Sequence, residues 1–328
     1  MAEVGDLFAD VLRPRWATGL HRVTAPHLKG VEEWLLHGSY AWNPAPAGSA
    51  RLDISSTKEL LTDALANEIA RFSCATYESL IGALPSDQTD RSLGWSLVRY
   101  YYATFYAAHA LLRLSGSSVT MLSSKTIATL NKIGGQYLGV SPQLVSGLHL
   151  VQIDQTDPSR VLISKIGGNS GGSHEEMWKQ FLELLLYVEN QLVLTQGQSQ
   201  AAQSAVLVLA ELRRHLCKQG KNNGAWLSSV RNDLNYKQRY GVWYPYAVTS
   251  KFAERLSHRM SRWTPGHSHG GSLDGSDGDL ACFVDACNLT TSLLTTAHAD
   301  IARRAAKART SFVDRMPFRL LRLRKLVS

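Results

Sequence analysis

Between Val230 and Pro245 this 328-residue chain gathers two guanidinium groups (Arg231, Arg239), three side-chain amides (Asn232, Asn235, Gln238) and four aromatic rings (Tyr236, Tyr240, Trp243, Tyr244). Forked guanidinium donors match phosphate oxygens, and aromatic faces stack on bases. Arg231 and Arg239 are therefore candidates for contacting phosphate, while Asn232 and Asn235 sit where a helix end needs side-chain hydrogen bonds. Arg239, Tyr236, Tyr240 and Trp243 are candidates for binding nucleic acid. A purely structural reading stands beside this one: the rings pack a following helix, the asparagines hydrogen-bond a helix end, and Arg231 pairs with Asp233 or another carboxylate.

Proton transfer near neutral pH calls for histidine. His109 falls on the apolar stripe of a helix, where a hydrogen-bonded core role is expected, whereas His215 and His258 lie on basic helices flanking the Arg231 run. His267 and His269 with Asp274, Asp277 and Asp279 offer transition-metal ligand types, but their spacing fits no Ca²⁺ loop and a solvated loop is the expectation. The four cysteines, Cys74, Cys217, Cys282 and Cys287, are too few and too scattered for a disulfide framework and read as reduced thiols. Gly167 to Gly172 lacks the Gly-Lys-Ser/Thr ending of a phosphate loop, and there is neither a Gly-x-Ser-x-Gly elbow nor a His-Glu-x-x-His pair. No metal and no cofactor is expected.

Charge narrows the partner. The net +8 is unevenly spread: from Ser204 onward 20 Lys/Arg face 9 Asp/Glu, and before it 15 face 18. A C-terminal excess of this size favours RNA or another nucleic acid, with an acidic protein partner as the competing explanation. The segment from Arg303 to Lys325 interleaves cations with Phe318, Leu320, Leu321 and Leu323, a pattern that also suits an anionic membrane surface or simple docking on the body of the protein. Met1 to Asp6 contains no basic-then-apolar leader, and no apolar run approaches the ~18 residues a bilayer span needs, so a cytoplasmic location is expected.

The elements that must position these residues read as mainly helical. Residues 1–55, with Pro14, Pro26, Pro44 and Pro46, are expected to be irregular apart from a short helical piece near Val31 to Leu36. Capping-box spacing at Ser56 and at Ser173 predicts helices over about 57–84 and 173–194. Trp95, Val98, Tyr102, Phe105, His109 and Leu112 recur at helical steps with alanines between, which predicts a core helix of a bundle ending at Gly116. Further helices are expected over 125–133, from about 204 to 220, and over 228–235, 250–263 and 280–315. Residues 149–153 and 160–164 suit a small hairpin-like β insertion. The division this suggests is an N-terminal segment (1–55), a helical domain (56–195) and a basic helical domain (204–328).

The string Trp95, Arg99-Tyr100-Tyr101-Tyr102-Ala103, Phe105, Ala107-Ala108, Ala110-Leu111-Leu112 and Gly116 resembles the first conserved helix of the HEPN superfamily. The segment from His174 to Phe181, with Trp178 between, is similar to the helix that packs against it in some members. The resemblance covers about 56–195 and implies a HEPN-like helical bundle in a prokaryotic toxin or anti-phage defence setting. HEPN ribonucleases use Arg-x(4–6)-His, in which the arginine stabilises phosphate charge and the histidine assists 2′-hydroxyl attack. Arg231-Asn232 looks like the first half of that motif, which implies that Arg231 holds the scissile phosphate and Asn232 orients it, but Tyr236, Lys237 and Gln238 occupy the histidine positions. The resemblance thus implies an RNA-directed protein, a metal-independent endoribonuclease if another group carries the proton. Its alternative is a non-catalytic HEPN-like scaffold or binding subunit, acting as a homodimer or in a multi-component complex.

Overall fold

The structure, a computed structural model, describes residues 2–44, 51–56, 58–83, 93–139, 141–167, 172–263 and 278–327. It is mostly helical with one small antiparallel sheet. In chain order the elements are α1 (Ala2–Leu12), α2 (Val31–His37), β1 (Tyr40–Trp42), β2 (Arg51–Ser56), α3 (Lys58–Ala83), α4 (Gly94–Leu114), β3 (Ser117–Leu122), α5 (Ser124–Leu138), β4 (Gly147–Ile153) and β5 (Arg160–Lys165). There follow α6 (Ser173–Gln196), α7 (Gln200–Leu216), α8 (Trp226–Asn235), α9 (Ser250–Met260), α10 (Asp279–Arg303), α11 (Phe312–Arg315) and α12 (Pro317–Leu323).

α4 is the hub, packing on α3, α6, α8 and α10. Its burial differs from the expected aromatic stripe. Ala103, Ala107, Ala108 and Ala110 are fully buried, as are Tyr100 and Tyr101, whereas Tyr102 and Phe105 are half-buried and Trp95 is exposed. Small residues let neighbouring helix backbones approach closely, so the alanine faces take the tightest contacts and the bulkier rings fan out at the edges. The buried side chains from Val4 to Leu321 form one continuous cluster that joins both expected helical stretches and the N-terminal helix.

Several elements depart from the sequence expectation. α1 lies within the stretch expected to be irregular. Val4, Phe8 and Leu12 recur every fourth residue, ahead of the first proline, and bury one face against α7 and α10. The expected hairpin forms as β4 and β5, with Val151 opposite Ile163. It is extended to the five-stranded order β1-β2-β5-β4-β3, in which Asp53 lies opposite Leu162 and Val119 opposite Leu150.

α5 runs through Gly134 and Gly135 instead of stopping there. A Cβ on Gly134 would stand 2.8 Å from both Pro142 Cγ and Trp42 Cζ3, so that glycine serves close packing. The helix ends instead at Gly139, whose φ of 72° few other residues adopt readily.

The expected helix over 280–315 ends at Arg303. Beyond it Arg303 and Lys307 would sit four apart with like charge, and Ser311 restarts the chain as the N-cap of α11, its hydroxyl accepting from the Asp314 amide at 3.3 Å. α12, carrying the basic tail, docks on α3 through buried Leu321. By length and composition α10 could cross a membrane, but 78% of its most apolar window is buried inside the protein.

Candidate anion site around Arg231

Arg231 projects from α8 into the body of the protein and is only 8% exposed. The expected partner Asp233 is engaged elsewhere, by Lys237 Nζ at 2.8 Å and Arg239 Nη1 at 3.2 Å. Among the described residues no carboxylate lies within ion-pair distance of Arg231, and its Nε is buried with no hydrogen-bond partner. Three aromatic faces surround the guanidinium instead: Tyr101 at 5.3 Å, Tyr102 at 5.7 Å and Tyr236 at 5.9 Å from Cζ to ring centroid. Cation–π attraction offsets part of the desolvation of this charge but supplies no counter-ion.

α4 and α6 complete the site. Tyr101 and Tyr102 come from the middle of α4, and His174 from the first turn of α6. His174 stacks on Phe105 with ring centroids 4.2 Å apart, and its Nδ1 lies 2.7 Å from the Tyr101 hydroxyl. Trp178 Nε1 donates to the same hydroxyl oxygen at 3.2 Å, and Ser228 of α8 and Arg231 lie beside it. With its oxygen accepting from Trp178, Tyr101 either donates to Nδ1, which places the imidazole proton on Nε2, or accepts from it.

Burial, followed by the charge of Arg231, lowers the His174 pKa to about 4. The imidazole is therefore neutral at physiological pH. The positive end of the α6 dipole acts in the same direction. Burial raises the Tyr101 pKa, opposed by its hydrogen bonds from Ser228 and Trp178 and by Arg231. The assembly presents donors and positive potential with no anion of its own, which is the chemistry of an oxyanion or phosphate site.

The other sequence candidates fall in different places. Asn232 is exposed, about 100° around the helix from Arg231, and its carbonyl accepts from the Tyr236 amide at 2.9 Å. Tyr236 joins the site and is 72% exposed. Arg239 is exposed and held by Asp233, and Tyr240 is half-buried with a φ of 71°. Trp243 packs against Gly94, donates from Nε1 to the Leu234 carbonyl at 2.8 Å, and meets Trp95 edge-on at 5.4 Å.

Of the histidines, His109 is the expected core residue, stacked on Phe72 with Nδ1 3.1 Å from Arg113. His215 is buried beside Glu211 on α7, and His258 is exposed on α9. The histidine that feels Arg231 is His174, which sequence spacing does not connect to it. The only hint was the likeness of the 174–181 segment to a helix that packs on the tyrosine helix.

His267, His269, Asp274 and Asp277 lie outside the described residues, while Asp279 pairs with Lys218 at 3.1 Å. Among the described residues no three His, Cys, Asp or Glu side chains converge as a metal site would require. The four cysteines are free thiols.

A separate cavity of about 780 Å³, lined by Arg22, His27, Glu59 and Asp63, lies towards the other end of α3. Its Asp63 carboxylate accepts from the His27 and Leu28 amides at 2.7 Å each, so this group holds the loop before α2. Comparison with protein-family models, curated proteins and solved structures finds no match to this chain.

Proposed function

We propose that this is an RNA-directed protein of a prokaryotic toxin or anti-phage defence system, a HEPN-like endoribonuclease whose phosphate site is built on Arg231 and whose proton carrier is His174. The observation that carries the reading is the nine-tenths-buried Arg231, without a carboxylate partner among the described residues, placed beside a neutral histidine and sharing Tyr101 with it. A scissile phosphate would supply the missing negative charge. Asn232, adjacent on the solvent side of α8, would then meet the flanking strand, where Arg239, Tyr236 and Tyr240 also lie.

The contact between Tyr101 and His174 accommodates either tautomer of the imidazole. In one, Tyr101 donates to Nδ1 and Nε2 carries the proton. In the other, which the chemistry uses, Nδ1–H donates to Tyr101 and Nε2 is a free base. Nε2 would then take the 2′-hydroxyl proton as the 2′ oxygen attacks phosphorus. The 5′ oxygen leaves and is protonated from solvent, giving a 2′,3′-cyclic phosphate and a 5′-hydroxyl. Arg231 neutralises charge on the non-bridging oxygens throughout.

The test is incubation of end-labelled single-stranded RNA with the purified protein and with its Arg231→Ala and His174→Ala variants. Cleavage by the wild type with cyclic-phosphate ends, lost in both variants, is expected; equal cleavage by all three would remove these residues from the chemistry. The alternative is a non-catalytic scaffold or binding subunit, favoured by the exposed Val193 and Leu194 of α6 and Leu207 of α7, which suit a protein partner or homodimer. RNA binding without cleavage, together with a dimeric mass in solution, would support it.

A further inference from the structure

Trp95 is 61% exposed in the first turn of α4, although a ring of its size is normally among the most buried side chains. It is not simply loose. Trp243 meets it edge-on at 5.4 Å, and Trp243 is itself fixed by its bond to the Leu234 carbonyl and its seat on Gly94. One part of the Trp95 ring is therefore braced while the rest faces solvent.

Position along the helix gives this ring a purpose. Trp95 and Tyr102 are two helical turns apart on the same side of α4, a rise of about 10 Å. Tyr102 is one of the rings beneath Arg231. Tyr236, just past the end of α8, is 72% exposed and has its ring centroid 5.9 Å from the Arg231 guanidinium carbon. A phosphate at Arg231 thus has the open ring of Tyr236 beside it and that of Trp95 about two turns away along α4, with Lys237 and Arg239, both paired with Asp233, on the following turn. Alternating cations and free aromatic faces suit unpaired bases, because a base stacked in a duplex has no face to offer.

We infer that Trp95, with Tyr236, is a stacking platform for the bases flanking the bound phosphate, so that the site takes single-stranded RNA and excludes duplex. The inference rests on the phosphate site at Arg231 and adds to it the substrate class and a binding residue on a different helix.

The test uses the full chain, with fluorescence-detected binding of an unstructured RNA oligonucleotide, of the same sequence annealed as a duplex, and of inorganic polyphosphate, which has no bases. Wild type should bind the single strand at least tenfold more tightly than the duplex. Trp95→Ala should lose about tenfold or more in single-strand affinity while binding polyphosphate unchanged, and Trp95→Phe should recover most of the loss. Arg231→Ala should weaken all three ligands. A single-strand affinity indifferent to Trp95→Ala, or equal binding of single strand and duplex, would overturn the platform while leaving the phosphate site in place. Polyphosphate and RNA affinities indifferent to Arg231→Ala would overturn both. Thermal unfolding of the Trp95 variants, expected to match wild type at this exposed position, separates lost contact from lost fold.

Discussion

The Tyr101 hydroxyl lies 2.7 Å from His174 Nδ1 while accepting a hydrogen bond from Trp178 Nε1 at 3.2 Å, so one oxygen ties the tyrosine helix to the first turn of α6. Tyr101→Phe keeps the ring beside Arg231 but strands the buried Trp178 N–H and frees His174 to turn about Cβ. The expected cost is about 1–3 kcal/mol of stability from the unpaired donor, measured by urea unfolding. RNA cleavage should fall with kcat affected more than KM, because the imidazole is no longer held in one orientation. Unchanged kcat would show that Tyr101 does not position His174.

The charge of Arg231 lowers the His174 pKa, second only to burial, and the two causes can be separated. In Arg231→Gln the His174 ring should titrate above its wild-type value of about 4 yet still below 6.5, since burial remains. NMR pH titration of the imidazole resonances reads this directly. In the wild type, kcat/KM should stay level from pH 7 to about 5 and fall near pH 4 as the free enzyme's base is protonated. An imidazole titration unmoved by Arg231→Gln would mean that the guanidinium charge does not reach the ring.

Helical periodicity and the breaks between segments made α3, α4 and α6 legible, although Ser173 is the first residue of α6, behind Gly172, and not its cap; local β propensity marked the β4–β5 hairpin. β2 was hidden because its pairing with β5 is non-local: Arg51 to Ser55 find their partners across α3, α4 and α5, in Arg160 to Ser164, and β1 is a three-residue edge strand paired on β2. The site was half legible for a similar reason. Arg231 and Tyr236 announce themselves on one helix, but His174 joins them only because α6 and α8 both pack on α4. Trp95 was read as part of a buried stripe, since helical spacing shows which residues share a face but not which face the alanines will claim.

Gly94 fixes the position of Trp243. A Cβ added there would stand 2.5 Å from Cδ2 and Cζ2 of the Trp243 ring. Gly94→Ala should therefore displace the indole despite the better helix propensity of alanine, with a net destabilisation of about 1–3 kcal/mol. A lowered Tm should be accompanied by altered indole fluorescence. A Tm equal to or above wild type would mean that the 239–249 segment yields freely.

His298 offers a pH test independent of the site. It is fully buried in α10, with Nε2 3.0 Å from Ser73 Oγ and Nδ1 3.2 Å from the Tyr77 hydroxyl, and burial pushes its pKa down to about 3 from an ordinary 6.5. The folded state therefore holds it neutral in a range where the unfolded chain would protonate it. Its contribution to stability is complete above about pH 6.5 and is lost as pH falls towards 3, at about 1.4 kcal/mol per pH unit in that window. His298→Gln cannot titrate, so between about pH 6 and 4 its unfolding free energy should decline less steeply than that of the wild type by roughly this amount. Parallel curves would show that His298 is charged in the folded protein, and the Ser73 and Tyr77 hydroxyls would then have to act as acceptors for both imidazolium protons.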